Sequence, residues 1–156
     1  MGNILKALDI YRSCIPSCTD MIGETVANVI NSIAKSYGPI DESTLFELKV
    51  IINEIMINAI KHGNKGDRSK LVRVHAGLSD SGYALILVED EGSGYDYGDI
   101  CLRHDPAGEQ INLCSFEESG RGIMIVNSLC DRVRVNARGN RILVVKKLAG
   151  CPGTCE

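Results

Sequence analysis

The 156-residue sequence has no apolar stretch near membrane-spanning length, which excludes a helical membrane span. Met1 to Ile10 carries a single lysine and a broken apolar pattern, without the positive region and apolar run of a secretory signal. Basic residues are not in excess: 17 Lys and Arg against 20 Asp and Glu leave a net charge of -3. Broad nucleic-acid binding rests on phosphate neutralisation by clustered cations, so direct nucleic-acid binding is not expected. No internal repeat, linker or low-complexity tract is visible. These absences leave a cytoplasmic protein whose partner is another protein or a small molecule.

The seven cysteines lack the C-x2-C spacing of a metal knuckle. Cys14 with Cys18 and Cys151 with Cys155 form two C-x3-C pairs, and scattered reduced thiols are the preferred reading over a four-thiolate site. A hydrophobic content of 44% over this length suits one globular domain, residues 1–150, with a short tail at 151–156.

Residues 4–16 read as an extended segment closed by Pro16. Thr19 or Asp20 then caps a helix running to about Tyr37 through Ile22, Val26, Val29, Ile30 and Ile33. Asp41 opens a second helix, Glu42 to His62, with Gly63 in the place of a C-terminal cap. Leu71 to Leu78 and Tyr83 to Glu89 form a hairpin around Ser79-Asp80-Ser81-Gly82. Asp90 to Ser119 is a glycine-punctuated loop long enough to suggest function. A short helix, Ile123 to Leu129, and a second hairpin, Arg132 to Ala137 with Arg141 to Leu148, complete the domain. Helices grouped early and strands arriving as hairpins predict an α+β two-layer sandwich, a mixed sheet with the helices on one face.

Three elements could carry chemistry. Glu54 and Asn58, four apart, share one face of the second helix and interrupt its apolar run. They read either as a satisfied polar pair or as a base beside a magnesium ligand. Asp90-Glu91-Gly92-Ser93-Gly94 follows a strand; an ionised Asp offers only acceptors, suited to an adenine amino group, and glycines allow close backbone approach. The same residues also suit an ordinary tight turn. Glu118-Ser119-Gly120-Arg121-Gly122 leads into a helix, whose free amides make an anion site. Gly63 to Lys70 does not fit G-x4-G-K-[ST], and Gly92, Gly94 and Gly98 miss G-x-G-x-x-G.

Taken in order, Asn53 to Asn64 resembles the N box of GHKL ATPases, Asp90 to Gly94 their G1 box and Ser119 to Gly122 their G2 box. Within that superfamily the short length, the Ala-Ile-Lys-His-Gly helix ending, the Glu-Ser-Gly-Arg-Gly run and the Ile15-Pro16 step are similar to the anti-sigma-factor serine/threonine kinases. The resemblance implies a Bergerat-type ATP-binding fold using ATP and Mg2+. It makes Glu54 the general base, Asn58 the Mg2+ ligand, Asp90 the adenine reader, and Gly92, Gly94, Gly120 and Gly122 the backbone around the nucleotide. Arg121 reads equally as a phosphate contact or a solvated arginine. His62 flanks the phosphates or, the preferred reading, caps the helix end. Asp96 to Ser119 would be the ATP lid. The implied partners are a sigma factor, an anti-sigma-factor antagonist phosphorylated on serine, and a second copy in a homodimer. The alternative is an ATP-binding regulatory module without transfer activity.

Overall fold

The computed structural model describes residues 7–94 and 118–150. Strand β1 (Ala7–Pro16) leads through a 3-10 turn (Thr19–Met21) into α1 (Ile22–Tyr37), followed by α2 (Glu42–Ile57). A π-helical turn (Asn58–Gly63) extends α2. Then come β2 (Leu71–Ser79), β3 (Tyr83–Glu89), α3 (Glu118–Leu129), β4 (Arg132–Val135) and β5 (Arg141–Lys147). The proposed lid, the C-terminal tail, residues 4–6, His104, Cys101, Cys114, Cys151 and Cys155 lie wholly or mainly outside the described residues.

The five strands are ordered β1-β2-β3-β5-β4. Among the described residues every pairing is antiparallel, so the two-layer α+β expectation holds but the sheet they form is not mixed. The reason lies in the connections. One helix between strands returns the chain to its starting end and gives a parallel neighbour. Two helices, α1 and α2, make the return trip twice over, so β2 enters at the end where β1 stopped.

Alternation in the strands sends Val72, Val74 and Ala76 of β2, Ala84, Ile86 and Val88 of β3, and Ile142 and Val144 of β5 to one face. Cross-strand register aligns Val74 with Val88 and Val88 with Ile142. Against this face pack Val29, Ile30 and Ile33 of α1, Leu48, Ile51, Ile52, Ile55 and Met56 of α2, and Ile123 and Val126 of α3, in one continuous core. Burying each such side chain contributes about 1.5–3 kcal/mol. On the opposite face Glu89 pairs with Arg73 at 3.1 Å and with Arg141 at 2.6 Å, locking the end of β3 between its two neighbours. Lys146 ties the layers together: it pairs with Glu47 of α2 and donates to the Leu129 carbonyl at 2.8 Å, where the dipole of α3 favours a cation.

Three local expectations are corrected. Neither Thr19 nor Asp20 caps α1 with its side chain; the N-cap is Met21, and the preceding 3-10 turn satisfies the backbone through Met21 N–H to Cys18 C=O at 3.1 Å. Asp41 does cap α2, accepting from Thr44 N–H at 2.7 Å. Gly63 is not a left-handed cap, since Asn64 closes the π turn with φ of -87°. Finally, α3 begins at Glu118, so Gly120, Arg121 and Gly122 belong to its first turns and not to a loop ahead of it. Among the described cysteines, Cys130 is buried and burial pushes its thiol up to about 12, as suits a core residue, whereas Cys14 is exposed.

The packing predicts a sharp contrast within α2. Ile52→Ala, at a fully buried position, is expected to cost about 2–5 kcal/mol in urea denaturation. Phe46→Ala, where the ring is 68% exposed, should stay within about 0.5 kcal/mol.

Candidate functional site

The site is built along the last turns of α2 and the π turn that continues it. Glu54 and Asn58 stand one turn apart, Glu54 half-buried and Asn58 only 3% exposed. The backbone then widens: Asn64 N–H bonds back five residues to the Ala59 carbonyl at 2.8 Å. A bond of this span is the mark of a π turn. Gly63 is the last residue of that turn. His62 lies half-buried within the same turn and is engaged with a neighbour; Lys61 is exposed.

Two glycines make the ends of this face meet other elements. A Cβ at Gly122 would overlap the Glu54 carboxylate, so α3 and α2 are in direct apposition at these two residues. A Cβ at Gly63 would overlap the carboxylate of Asp90, and one at Gly92 would overlap the Gly63 carbonyl. Asp90, Gly92 and Gly63 therefore form one nook at the far end of the face. Gly94, with φ of +104°, lies against the Arg138 carbonyl, where no side chain fits. Gly120 and Arg121 lie in the first turn of α3, whose leading amides have no partner within the helix. The side chain of Arg121 is outside the described residues.

Asp90 is 4% exposed and accepts from Gly92 N–H at 2.8 Å. Burial raises its carboxyl above the usual aspartate range; the Gly92 amide and the charges of Arg138 and Lys70 oppose this, while Glu89 adds to it. At the other end, the Asn58 side-chain nitrogen is buried without a hydrogen-bond partner. An uncommitted buried amide is costly unless something else is bound to it. The two features together describe a groove with an acceptor at one end, an available amide and a carboxylate at the other, and side-chain-free backbone on both sides.

Three residues shape the site through bonds that the sequence did not show, Asn64 having stood only as the last residue of the N-box resemblance. Asn64, fully buried, donates to Ser17 Oγ at 2.6 Å and Leu71 C=O at 3.0 Å and accepts from Glu91 N–H at 2.8 Å. Arg138 donates to the Gly92 carbonyl at 3.1 Å, and Asn140 to the Asp90 carbonyl at 3.0 Å. The only sequence signal was their place in the turn Arg138-Gly139-Asn140.

Two measurements check this geometry. Gly63→Ala is expected to cost about 1–3 kcal/mol by overpacking, and adding Asp90→Ala should recover most of it, giving a clear coupling in a double-mutant cycle. A carboxyl with a raised folded-state pKa binds more protons folded than unfolded, so its ionisation costs stability as pH climbs through that pKa. Asp90→Asn should therefore raise Tm at neutral pH, with the gain shrinking as pH falls toward the ordinary value of 3.8.

With the geometry in hand, comparisons locate the chain among known proteins. Over 151 residues it is 26% identical to "Serine-protein kinase RsbW" of Bacillus subtilis (strain 168), covering 96% of this chain and 91% of the relative. It is 27% identical over 137 residues to "Anti-sigma F factor" of Priestia megaterium, covering 85% and 86%. The fold matches the structure of the RsbU and RsbW domains of a Mycobacterium tuberculosis protein with a TM-score of 0.58 at 17% identity, over 88% of this chain and 32% of that one. Residues 19–146 match the family described as histidine kinase-like ATPase domain, and the chain belongs to that family.

Proposed function

We propose that this chain is an ATP-dependent serine/threonine protein kinase acting as an anti-sigma factor, which binds a sigma factor and phosphorylates an anti-sigma-factor antagonist on serine. The relatives' names support the class of activity. The observation that carries the catalytic reading is the seat of the Glu54 carboxylate against Gly122, one turn before the uncommitted amide of Asn58. A purely nucleotide-gated binding module has no need of a base there.

The residues fit Mg-ATP. The buried Asn58 amide has an unpartnered nitrogen able to donate to a phosphate oxygen, and its oxygen is a hard donor of the kind magnesium accepts. Asp90 offers an acceptor for the amino group of adenine, and the glycine nook admits a ligand's close approach to the backbone. The leading amides of α3 favour negative charge. When bound, Mg-ATP supplies the phosphoryl group and the cation that offsets its charge. The protein's own part is positional and protolytic. Glu54, half-buried, accepts the proton of a serine hydroxyl presented by the partner; α2 fixes its distance from Asn58; the core beneath keeps both rigid. A homodimer in the cytoplasm completes the reading.

The test is phosphoserine transfer to protein captured from the native cell extract in the presence of Mg-ATP. Glu54→Gln is expected to reduce it by about 10²–10⁴. Undiminished transfer would remove Glu54 from the reaction, and nucleotide-dependent capture without any phosphoserine would leave an ATP-gated binding module.

A further inference from the structure

One peptide group of the site is held at both polar ends by side chains from remote parts of the chain. The carbonyl of Asp90 accepts from Asn140 Nδ2 at 3.0 Å. The N–H of the next residue, Glu91, donates to Asn64 Oδ1 at 2.8 Å. These two atoms belong to the same rigid plane. Bonding both ends fixes the torsions that flank it, and Asp90 N–H is tied as well, to the Asn140 carbonyl at 2.9 Å. With its peptides fixed on both sides, residue 90 has no freedom left in the direction of its Cα–Cβ bond.

Each asparagine is itself immobilised. Asn64 is fully buried and spends its nitrogen on Ser17 Oγ and Leu71 C=O. Asn140 Oδ1 accepts from Asn136 Nδ2 at 2.8 Å, and Asn136 Oδ1 gathers the N–H groups of Gly139, Asn140 and Arg141 at 2.9, 3.0 and 3.1 Å. Both clamp residues use donor and acceptor together, which an amide provides and a carboxylate does not. An aspartate at 140 would lose the donor and add a charge beside Asp90.

We propose that Asn64 and Asn140 are positioning residues for purine recognition: by pinning the Asp90–Glu91 peptide from opposite sides they aim the Asp90 carboxylate at the base. This rests on the reading of Asp90 as the acceptor of the adenine 6-amino group. Neither residue touches the nucleotide in this role. The effect of Asn140 is specific to the base, because it lies in the β4–β5 turn while Glu54 and Asn58 belong to α2 and the π turn that Asn64 closes.

The experiment compares binding of ATP with binding of purine riboside triphosphate, which lacks the 6-amino group, in the wild type, Asp90→Asn and Asn140→Ala. The wild type should prefer ATP, and Asp90→Asn should abolish the preference. Asn140→Ala should cut the preference roughly two- to tenfold, the equivalent of one neutral hydrogen bond, while affinity for the analogue stays put. Equal losses for both nucleotides would assign Asn140 a merely structural role and overturn the proposal. A retained preference in Asn140→Ala, with Asp90→Asn abolishing it, would overturn it too and leave the adenine reading standing. No preference in the wild type would remove the adenine reading, and the proposal with it. Hydrogen exchange of the Glu91 amide in the unaltered, nucleotide-free protein gives a check that no variant's folding can obscure. Strong protection is expected, and rapid exchange would show that the peptide is not pinned.

Discussion

The carboxylate of Asp90 occupies the volume where a side chain at position 63 would have to lie, and much of the architecture answers to that one close approach. A buried carboxylate is costly, and burial has already raised its proton affinity. The surroundings offset the cost with the Gly92 amide and with neighbouring cations. The widened turn after Ile57 is the backbone's accommodation. It ends at Gly63, whose missing side chain leaves room for the Asp90 carboxylate.

The sheet is what makes this alignment stiff. Glu89, one residue before Asp90, is bound to arginines on both neighbouring strands, and the β4–β5 turn reaches over to bond the loop that follows. The opposite wall, α2, is seated by five large apolar side chains in the shared core. Strand end and helix end therefore belong to one packed unit, and a change in the core is transmitted to the groove as a displacement of one wall against the other.

Much of this was legible in the sequence, for identifiable reasons. The apolar stripe of α2, the period-two alternation in β2 and β3, and the turn residues at 79–82 are local signals, and the elements appear where they point. Glu54 and Asn58 stood out because a polar residue interrupting an apolar pattern must be satisfied by something, and Asp90 because an acceptor followed by two glycines closes a strand. The antiparallel course of β2 beside β1 was missed in expecting a mixed sheet, although two helices between the strands imply it. The π turn was not legible, because apolar spacing from Ile51 to Ile60 is equally compatible with an uninterrupted α-helix; the bonds that widen it come from Asn64 and Gly66, beyond the periodic run. The glycine at 63 looked like a helix stop for the same reason. The pairing of Asn64 and Asn140 across one peptide could not be read at all, since the three participants lie 27 and 50 residues apart along the chain.

The central claim is that an adenine nucleotide lies along the face from Glu54 to Asp90. It is tested most directly by titrating the isotopically labelled protein with magnesium and a non-hydrolysable ATP analogue while following backbone amide resonances. The account predicts that the largest shifts fall on Asn58, Gly63, Gly92 and Gly122, in a single saturable transition. Shifts centred instead on the outer groove between α1 and α2, around Val26 and Val50, or no saturable change at the four named amides, would contradict it.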